Sequence, residues 1–537
     1  MQRLDKIPSR HLRGSLGRII CPIKLTSSFF IRNFYMFNTK KEKSVTFLIK
    51  KIISDKYFLL SLCICLIEFG VFNRINYAPD TYWDIMNDGG HVASNAFLPS
   101  GRFITALFAI CLKGLNMHPY AIYAISYLAA ILFAALSIYL LKTRILDVLI
   151  KKHPLSFVLS TIIVVNPLSI ELFVYYEKGI MLLSVLLSIL GAISFGRYCK
   201  SENKKYLIYS LLLAFLSTCC YQGTLGLYIV LMTLINVSTN KRLSSFIKNS
   251  IISVCLYAIA PICNIILTKL ISKGGRIGGD IHLLDSLMVL SQNFQNLIHM
   301  FGIISVKYIY IIVALTIVVS SVWLIAKKKK TIKEVLLVYA KMGFIIAVTI
   351  MASLAPQLLI NIDSIWVVPR STYVFGSIVG VLTCVYCSSL QSYKYTKAHY
   401  LPLLYSALML VMQFYSFNNI GVNNYIVSNI DKQRAIEVAN IITEHEITSG
   451  MSIKSIAVYY DSAPEMSYDG LKTYGDINAP AFSILWANVD LINYWTDSHY
   501  ERVFSPEYEN KCLGQNNASS DGDSVQFDNS TAIICLY

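Results

Sequence analysis

The sequence predicts a polytopic α-helical membrane protein carrying a small C-terminal α/β domain outside the membrane. Three observations predict it. The 537 residues are 55% hydrophobic and only 15% charged, with a mean hydropathy of +0.54, where soluble globular chains carry about 25% charged residues. Apolar runs of membrane-crossing length recur between residues 57 and 417. Charge is also split along the chain: residues 1–56 hold thirteen Lys/Arg and three acids, whereas residues 418–537 hold six Lys/Arg and sixteen acids. The predicted organisation is a basic cytoplasmic segment (1–56), a membrane domain (57–417) and an extracytoplasmic domain (418–537).

The basic head adjoins the first apolar run, about 57–72, which suits a cytoplasmic leaflet rich in anionic lipid and argues against nucleic-acid binding. Nothing there resembles a cleavable signal peptide. With the N-terminus inside, residues 77–102 face outward. The run 103–117 is short and interrupted by Lys113. If it spanned, the basic residues Lys142, Arg144, Lys151 and Lys152 would fall outside, so it is expected to lie along the surface. Further spans are expected at about 119–141, 154–168, 179–196, 206–220, 222–238, 249–270, 303–326, 335–360, 371–390 and 400–417. That makes about eleven, with loops 168–178, 271–302 and 361–370 outside. In 280–302 the apolar residues recur at helical spacing with polar residues between them, as in a helix lying in the interface.

After residue 418 the composition turns soluble. Residues 430–447 are helical in period, 453–461 read as a strand, and AFSILWA (481–487) as a strand or short helix. Of thirteen cysteines, most lie in apolar runs, and the Cys384–Cys387 CxxC reads as two small buried hydrophobes. Cys512 and Cys535 lie in the polar tail and suit a disulfide if that tail is extracytoplasmic.

The candidate chemistry sits in the outward loops. Asp80, Asp84 and Asp88 recur every four residues, so on a helix they share a face. A solvated loop is the plain reading. Beside Tyr82 and Trp83, which suit a sugar platform or an interfacial belt, the acids could instead act as general base or hold a divalent cation. Glu177 and Lys178 are either a surface pair or a second carboxylate with a phosphate-binding amine, next to Tyr175 and Tyr176. Arg102 and Arg370 either snorkel to headgroups or hold a lipid-linked phosphate, for which the guanidinium fork is well shaped. Lys273 and Arg276 lie in a Gly-rich loop that suits a mobile flap better than a nucleotide loop. GxGxxG, P-loop and HExxH motifs are absent from the sequence.

The pieces PDTYWD (79–84), SGRFITALF (100–108), NPLSIELFVYYEKG (166–179) and VPRSTYVFG (368–376), in that order, resemble the bacterial GtrII-type glucosyltransferases, serotype-converting enzymes of the GT-C class. Here Asp80 and Asp84 stand apart where that family commonly has adjacent acids, and Glu177 stands where it often has Asp. The resemblance implies transfer of glucose or a related hexose from undecaprenyl phosphate to a lipid-linked O-antigen unit on the periplasmic side of the inner membrane. Catalytic residues would be Asp80, Asp84 and Glu177. Arg102, Lys178, Arg370, Tyr82, Trp83 and Tyr176 would bind phosphate and sugar. No cofactor is implied beyond the divalent cation the acids could hold. A flippase or solute carrier would instead show charges buried mid-span and related halves; an O-antigen polymerase would carry its large loop between spans. Here the spans hold few charges, Glu68 being an exception.

Overall fold

The computed structural model describes residues 50–73, 77–87, 89–115, 117–150, 153–239, 242–272, 283–303, 331–359, 362, 365, 367–390, 400–460, 468, 470–471, 473, 475–512 and 524–536. The chain divides into two compact units, residues 1–60 and 61–537. Of the first, the described residues 50–60 are helical apart from a turn at 54–55.

Among the described residues, five helices are long and apolar enough to cross a membrane: Pro119–Ile150, Lys178–Ser201, Gln222–Thr239, Leu243–Ile271 and Ile332–Leu354. Pro154–Val164 and Pro167–Phe173, bent by 55°, make a sixth if they form one broken span. The expectation of eleven is thus met in part. Of the others, Lys56–Glu68, Lys205–Cys220 and Ile378–Leu390 are helices of 13, 16 and 13 residues, short for a hydrocarbon core of about 30 Å at about 1.5 Å per residue. Nearly all of the 303–326 run lies outside the described residues. Helices Lys178–Ser201 and Gly226–Thr239 are buried along most of their length. Leu243–Ile271 instead exposes Ile251, Val254, Ile262 and Leu270, a face suited to lipid.

Phe103–Gly114, at 12 residues, is about 18 Å long and too short to cross. Its buried side, Thr105, Ala106, Ala109 and Leu112, faces the protein. Thr105 Oγ1 donates to Cys220 O (2.8 Å), fixing it against the end of Lys205–Cys220. The amphipathic stretch after residue 280 forms helix Leu283–Ile303. It packs Leu290 and Phe294 on Leu168, Ile365, Val367 and Phe375, and leaves Leu284, Leu287 and Met288 exposed.

The last apolar run does not stop where the composition changes. Tyr400–Ser449 is a single helix of 50 residues, about 75 Å long. Beyond it, four strands order as β2-β1-β4-β3, with β1 (Ser455–Tyr460) parallel to β2 (Glu501–Arg502) and to β4 (Thr531–Leu536), and β3 (Ser524–Asp528) antiparallel to β4. Both faces are covered, as central parallel strands require. Ile456, Val458, Ile534 and Leu536 join a core with Val438 and Ile442 of the long helix and Tyr77, Tyr82 and Ile85 of the first loop. Ala457, Tyr459, Ile533 and Cys535 form the other face with Cys512.

The expected strand at 453–461 is β1. Of the two forms expected for 481–487, strand or short helix, the structure shows a short 3₁₀ helix at its start and no strand. Its 3₁₀ turn Ala481–Ser483 gives the N–H groups of Ala481 and Phe482 to the buried Asp431 carboxylate at 2.8 and 3.3 Å, so they are not free for a ladder. Cys512 and Cys535 form the expected disulfide across 23 positions. Opening it with Cys512→Ser, or with a thiol reductant, should destabilise the tail by about 2–4 kcal/mol. Thermal melting of detergent-extracted protein with limited proteolysis of residues 450–537 checks this.

Candidate active site at the loop ends of the helices

The first loop is shaped by Pro79, which opens helix Pro79–Met86, where a missing N–H loses no hydrogen bond. The spacing of Asp80 and Asp84 then sets both on one helix face. Asp84 is 7% exposed and Asp80 is half-buried. The Ala78 N–H donates to Val174 O (3.0 Å), joining this loop to the second. At its far end Gly101 takes φ +71°, and a Cβ there would run into Asn264 and Thr268. Asn264 Nδ2 donates to Gly101 O (2.8 Å) and Gln222 Nε2 to Ser100 O (2.6 Å). The turn delivers Arg102, whose guanidinium lies 4.8 Å from the ring centre of Tyr221.

The second loop begins at Asn166, whose side chain accepts from Leu168 N (3.0 Å) and starts the 3₁₀ helix Pro167–Phe173. It ends at Glu177, directly before helix Lys178–Ser201. Glu177 and Lys178 are 3% and 0% exposed, so they are not a surface pair. Lys178 Nζ sits 3.5 Å above the ring of Tyr123.

Electrostatics binds these pieces together. Burial pushes the Asp84 carboxyl well up, Glu177 and Asp80 add to the rise, and Arg102 opposes it. Glu177 is raised too, chiefly by burial and then by Asp80, with Arg102 and Arg370 pulling down. Asp80, Asp84, Glu177 and Arg102 are therefore electrostatic neighbours. Among the described residues, Arg102 Nε, Tyr176 Oη, Glu177 Oε2 and Lys178 Nζ are buried without a hydrogen-bond partner. Each such atom costs about 1–3 kcal/mol. Four of them at the ends of the first two loops, three in residues that interact electrostatically with Asp84, suit a site built to receive something polar.

The third loop brings Arg370, which faces a different pair of acids. Its Nη1 lies 3.0 Å from Glu171 Oε1 and 2.5 Å from Asp476 Oδ2. Fully buried Glu171 also accepts from the backbone N–H of Arg370 (2.6 Å) and of Asp476 (2.8 Å). The Tyr175 hydroxyl donates to Asp476 (2.5 Å), and its ring lies 4.7 Å from the Arg370 guanidinium. Gly475, at φ +65°, lets the tail approach this closely: a Cβ there would collide with Glu171 and stand 2.9 Å from Pro369 Cδ. Gly475→Ala should destabilise the protein by about 2 kcal/mol, since the left-handed backbone alone costs about 1–2 kcal/mol for a residue with a Cβ. A thermal melt of the extracted variant checks this.

Tyr82 is buried with edge-on contacts to Tyr77 (5.6 Å) and Tyr494 (5.5 Å). Tyr176 is buried and its ring lies near Phe108 (6.2 Å). Trp83, partly exposed, has its ring 5.9 Å from that of His91. Asp88 and the Gly-rich stretch with Lys273 and Arg276 lie outside the described residues. Among the described residues, no three His, Cys, Asp or Glu side chains gather as a metal-holding set.

Four further residues join the site without having been singled out from sequence: Glu171, Tyr221, Asp476 and Trp486, whose Nε1 donates to Asp80 Oδ1 at 2.8 Å. Glu171 had a visible cue, an acid between apolar neighbours in an outward loop. Tyr221 lies in a turn too short to read as a loop.

Helices of membrane-crossing length, with buried acids, arginines and a lysine gathered at their loop ends, are consistent with a membrane protein that carries a polar site. The comparison with known families makes this specific. Residues 69–382 match the glucosyl transferase GtrII family, more than half of the chain, and the protein belongs to that family. A search of curated proteins finds no match. The matched stretch contains Asp80, Asp84, Arg102, Glu171, Glu177, Lys178 and Arg370; Asp476 and Trp486 lie beyond it.

Proposed function

We propose that the protein transfers a hexose, in the first instance glucose, from undecaprenyl phosphate to a lipid-linked O-antigen glycan at the periplasmic face of a bacterial inner membrane. The observation that carries this reading is the cluster of Asp80, Asp84, Glu177, Arg102, Lys178 and Tyr176, with its four buried polar atoms lacking partners. A lipid-phosphate sugar places its phosphate and first sugar at the depth where the helices end. Arg102 and Lys178 take the phosphate. Arg370, tied to Glu171 and Asp476, braces the second and third loops and adds positive potential. Tyr82, Trp83 and Tyr176 shape the sugar side.

The reaction is a direct displacement. The acceptor hydroxyl oxygen bonds to the anomeric carbon as the bond from that carbon to the phosphate oxygen breaks. The electron pair leaves on undecaprenyl phosphate. The hydroxyl proton passes to Asp80, the most accessible of the three acids. A phosphate leaving group needs no strong acid, so one base with preorganised cations suffices. Asp84 and Glu177 hold Arg102 in place.

In this reading residues 1–56 lie in the cytoplasm, 57–417 in the membrane with about eleven spans, and 418–537 in the periplasm. The Cys512–Cys535 bridge supports an oxidising compartment for the tail. The partners are membrane lipid, donor and acceptor glycan, without nucleic acid. Linkage analysis of surface polysaccharide from cells with and without the gene tests the reading. A side-branch hexose present only with the gene is expected; identical polysaccharides would overturn it.

A further inference from the structure

Trp486 lies outside the stretch shared with the family, yet its indole reaches the first-loop acid. Its ring is tied at one edge to Asp80 Oδ1 (2.8 Å) while the residue is 56% exposed. At the other end its backbone carbonyl accepts from Arg502 Nη2 (2.8 Å), and Arg502 is itself held by Asp490 (2.6 Å). Such an arrangement is unusual for a tryptophan serving only to fill the protein, because most of its apolar face is left in water. It is an open aromatic plate whose polar edge is held by a carboxylate proposed to take a proton, on a backbone anchored by Arg502.

We infer that Trp486 is a binding platform for the acceptor glycan: one acceptor sugar stacks on the indole, and that contact brings the neighbouring hydroxyl to Asp80. The inference rests on the glycosyl-transfer reading and deepens it. It assigns acceptor recognition to the C-terminal segment, while the cations of the family-matched stretch serve the donor. Sugar rings present a face of C–H groups that packs on an aromatic plane, and the indole N–H keeps Asp80 oriented until the hydroxyl arrives. Arg502 is a positioning residue here, since it holds the carbonyl of Trp486 and touches no substrate.

The test measures glycan binding apart from transfer. The probe is O-polysaccharide released by mild acid from the lipopolysaccharide of cells lacking the gene, so that its acceptor sites are unsubstituted, bound to the detergent-extracted full-length protein in equilibrium dialysis. Trp486→Ala should raise its Kd about tenfold or more, and Trp486→Phe, which keeps a plate but loses the N–H, should stay within about threefold. In transfer assays Trp486→Ala should raise KM for the acceptor and leave KM for the donor unchanged. Unaltered glycan affinity in Trp486→Ala would overturn the inference, as would a fall in kcat with no change in acceptor KM, the mark of a residue that only orients Asp80. If the wild-type protein binds the glycan but transfers no hexose to it, the glycosyl-transfer reading fails while the platform stands.

Discussion

Asp80→Asn should lower hexosyl transfer by about 10²–10⁴-fold, the range lost with a general base, and leave the fold intact. Asp84→Asn should also lower activity, but with a separate signature. Its carboxyl is raised above the ordinary range by burial and by Glu177 and Asp80. A raised carboxyl holds its proton in the folded chain at pH values where the unfolded chain has released it. Stability therefore falls as pH rises from the ordinary carboxylate range through the raised value. Removing that charge relieves the penalty, so Asp84→Asn should keep or raise the melting temperature at pH 8 while losing activity. A structural carboxylate would behave oppositely. The same shifts set the pH profile. Asp84 and Glu177 gain protons as pH falls, Arg102 loses its counter-charges, and activity should decline on the acid side at a pH above that of an ordinary carboxylate. Rates and melts across pH 5–9 on wild type, Asp80→Asn and Asp84→Asn check all of this.

The second large effect concerns stability. Arg370→Ala leaves Glu171, which is fully buried, facing Asp476 with no cation between them. Stripping one partner from a buried ion pair costs about 3–5 kcal/mol. Arg370→Ala should therefore be recovered poorly as folded protein. Arg370→Lys should recover only part of the loss, because one amine replaces a fork that meets two carboxylates under the ring of Tyr175. The double variant Glu171→Gln/Arg370→Gln should be less damaged than Arg370→Ala, since it removes the unpaired charge. Comparing folded yield and melting temperature of these variants measures the coupling. Equal losses in all three would show that the pair contributes only bulk.

What could be read from the chain was local. Asp80 and Asp84 declare themselves by lying next to an apolar run, where acids need a reason, and Arg102 and Arg370 by standing at the ends of such runs. The tail disulfide follows from two cysteines lying outside the apolar segments. What could not be read was long-range. Arg370 meets Glu171 across 199 positions, Glu171 meets the Asp476 N–H across 305, and Trp486 meets Asp80 across 406. No periodicity carries information over such separations. In each case the contact turns an ordinary loop residue into part of the site. The stretch 481–487 stays ambiguous between strand and short helix for the same reason: Asp431, about fifty positions earlier, takes its first backbone donors, and a 3₁₀ turn results. The compositional break at 418 is genuine, yet helical period continues across it, and one 50-residue helix results.

The account stands on the loops of three helix ends forming one centre that uses a lipid-phosphate sugar. The most direct measurement is transfer of radiolabelled hexose to O-polysaccharide in proteoliposomes, with either polyprenyl-phosphate glucose or nucleotide-linked glucose as donor. Label should pass from the polyprenyl-phosphate donor alone, and the triple variant Asp80→Asn/Asp84→Asn/Glu177→Gln should abolish it. Transfer from the nucleotide sugar, or undiminished transfer by the triple variant, would contradict the account.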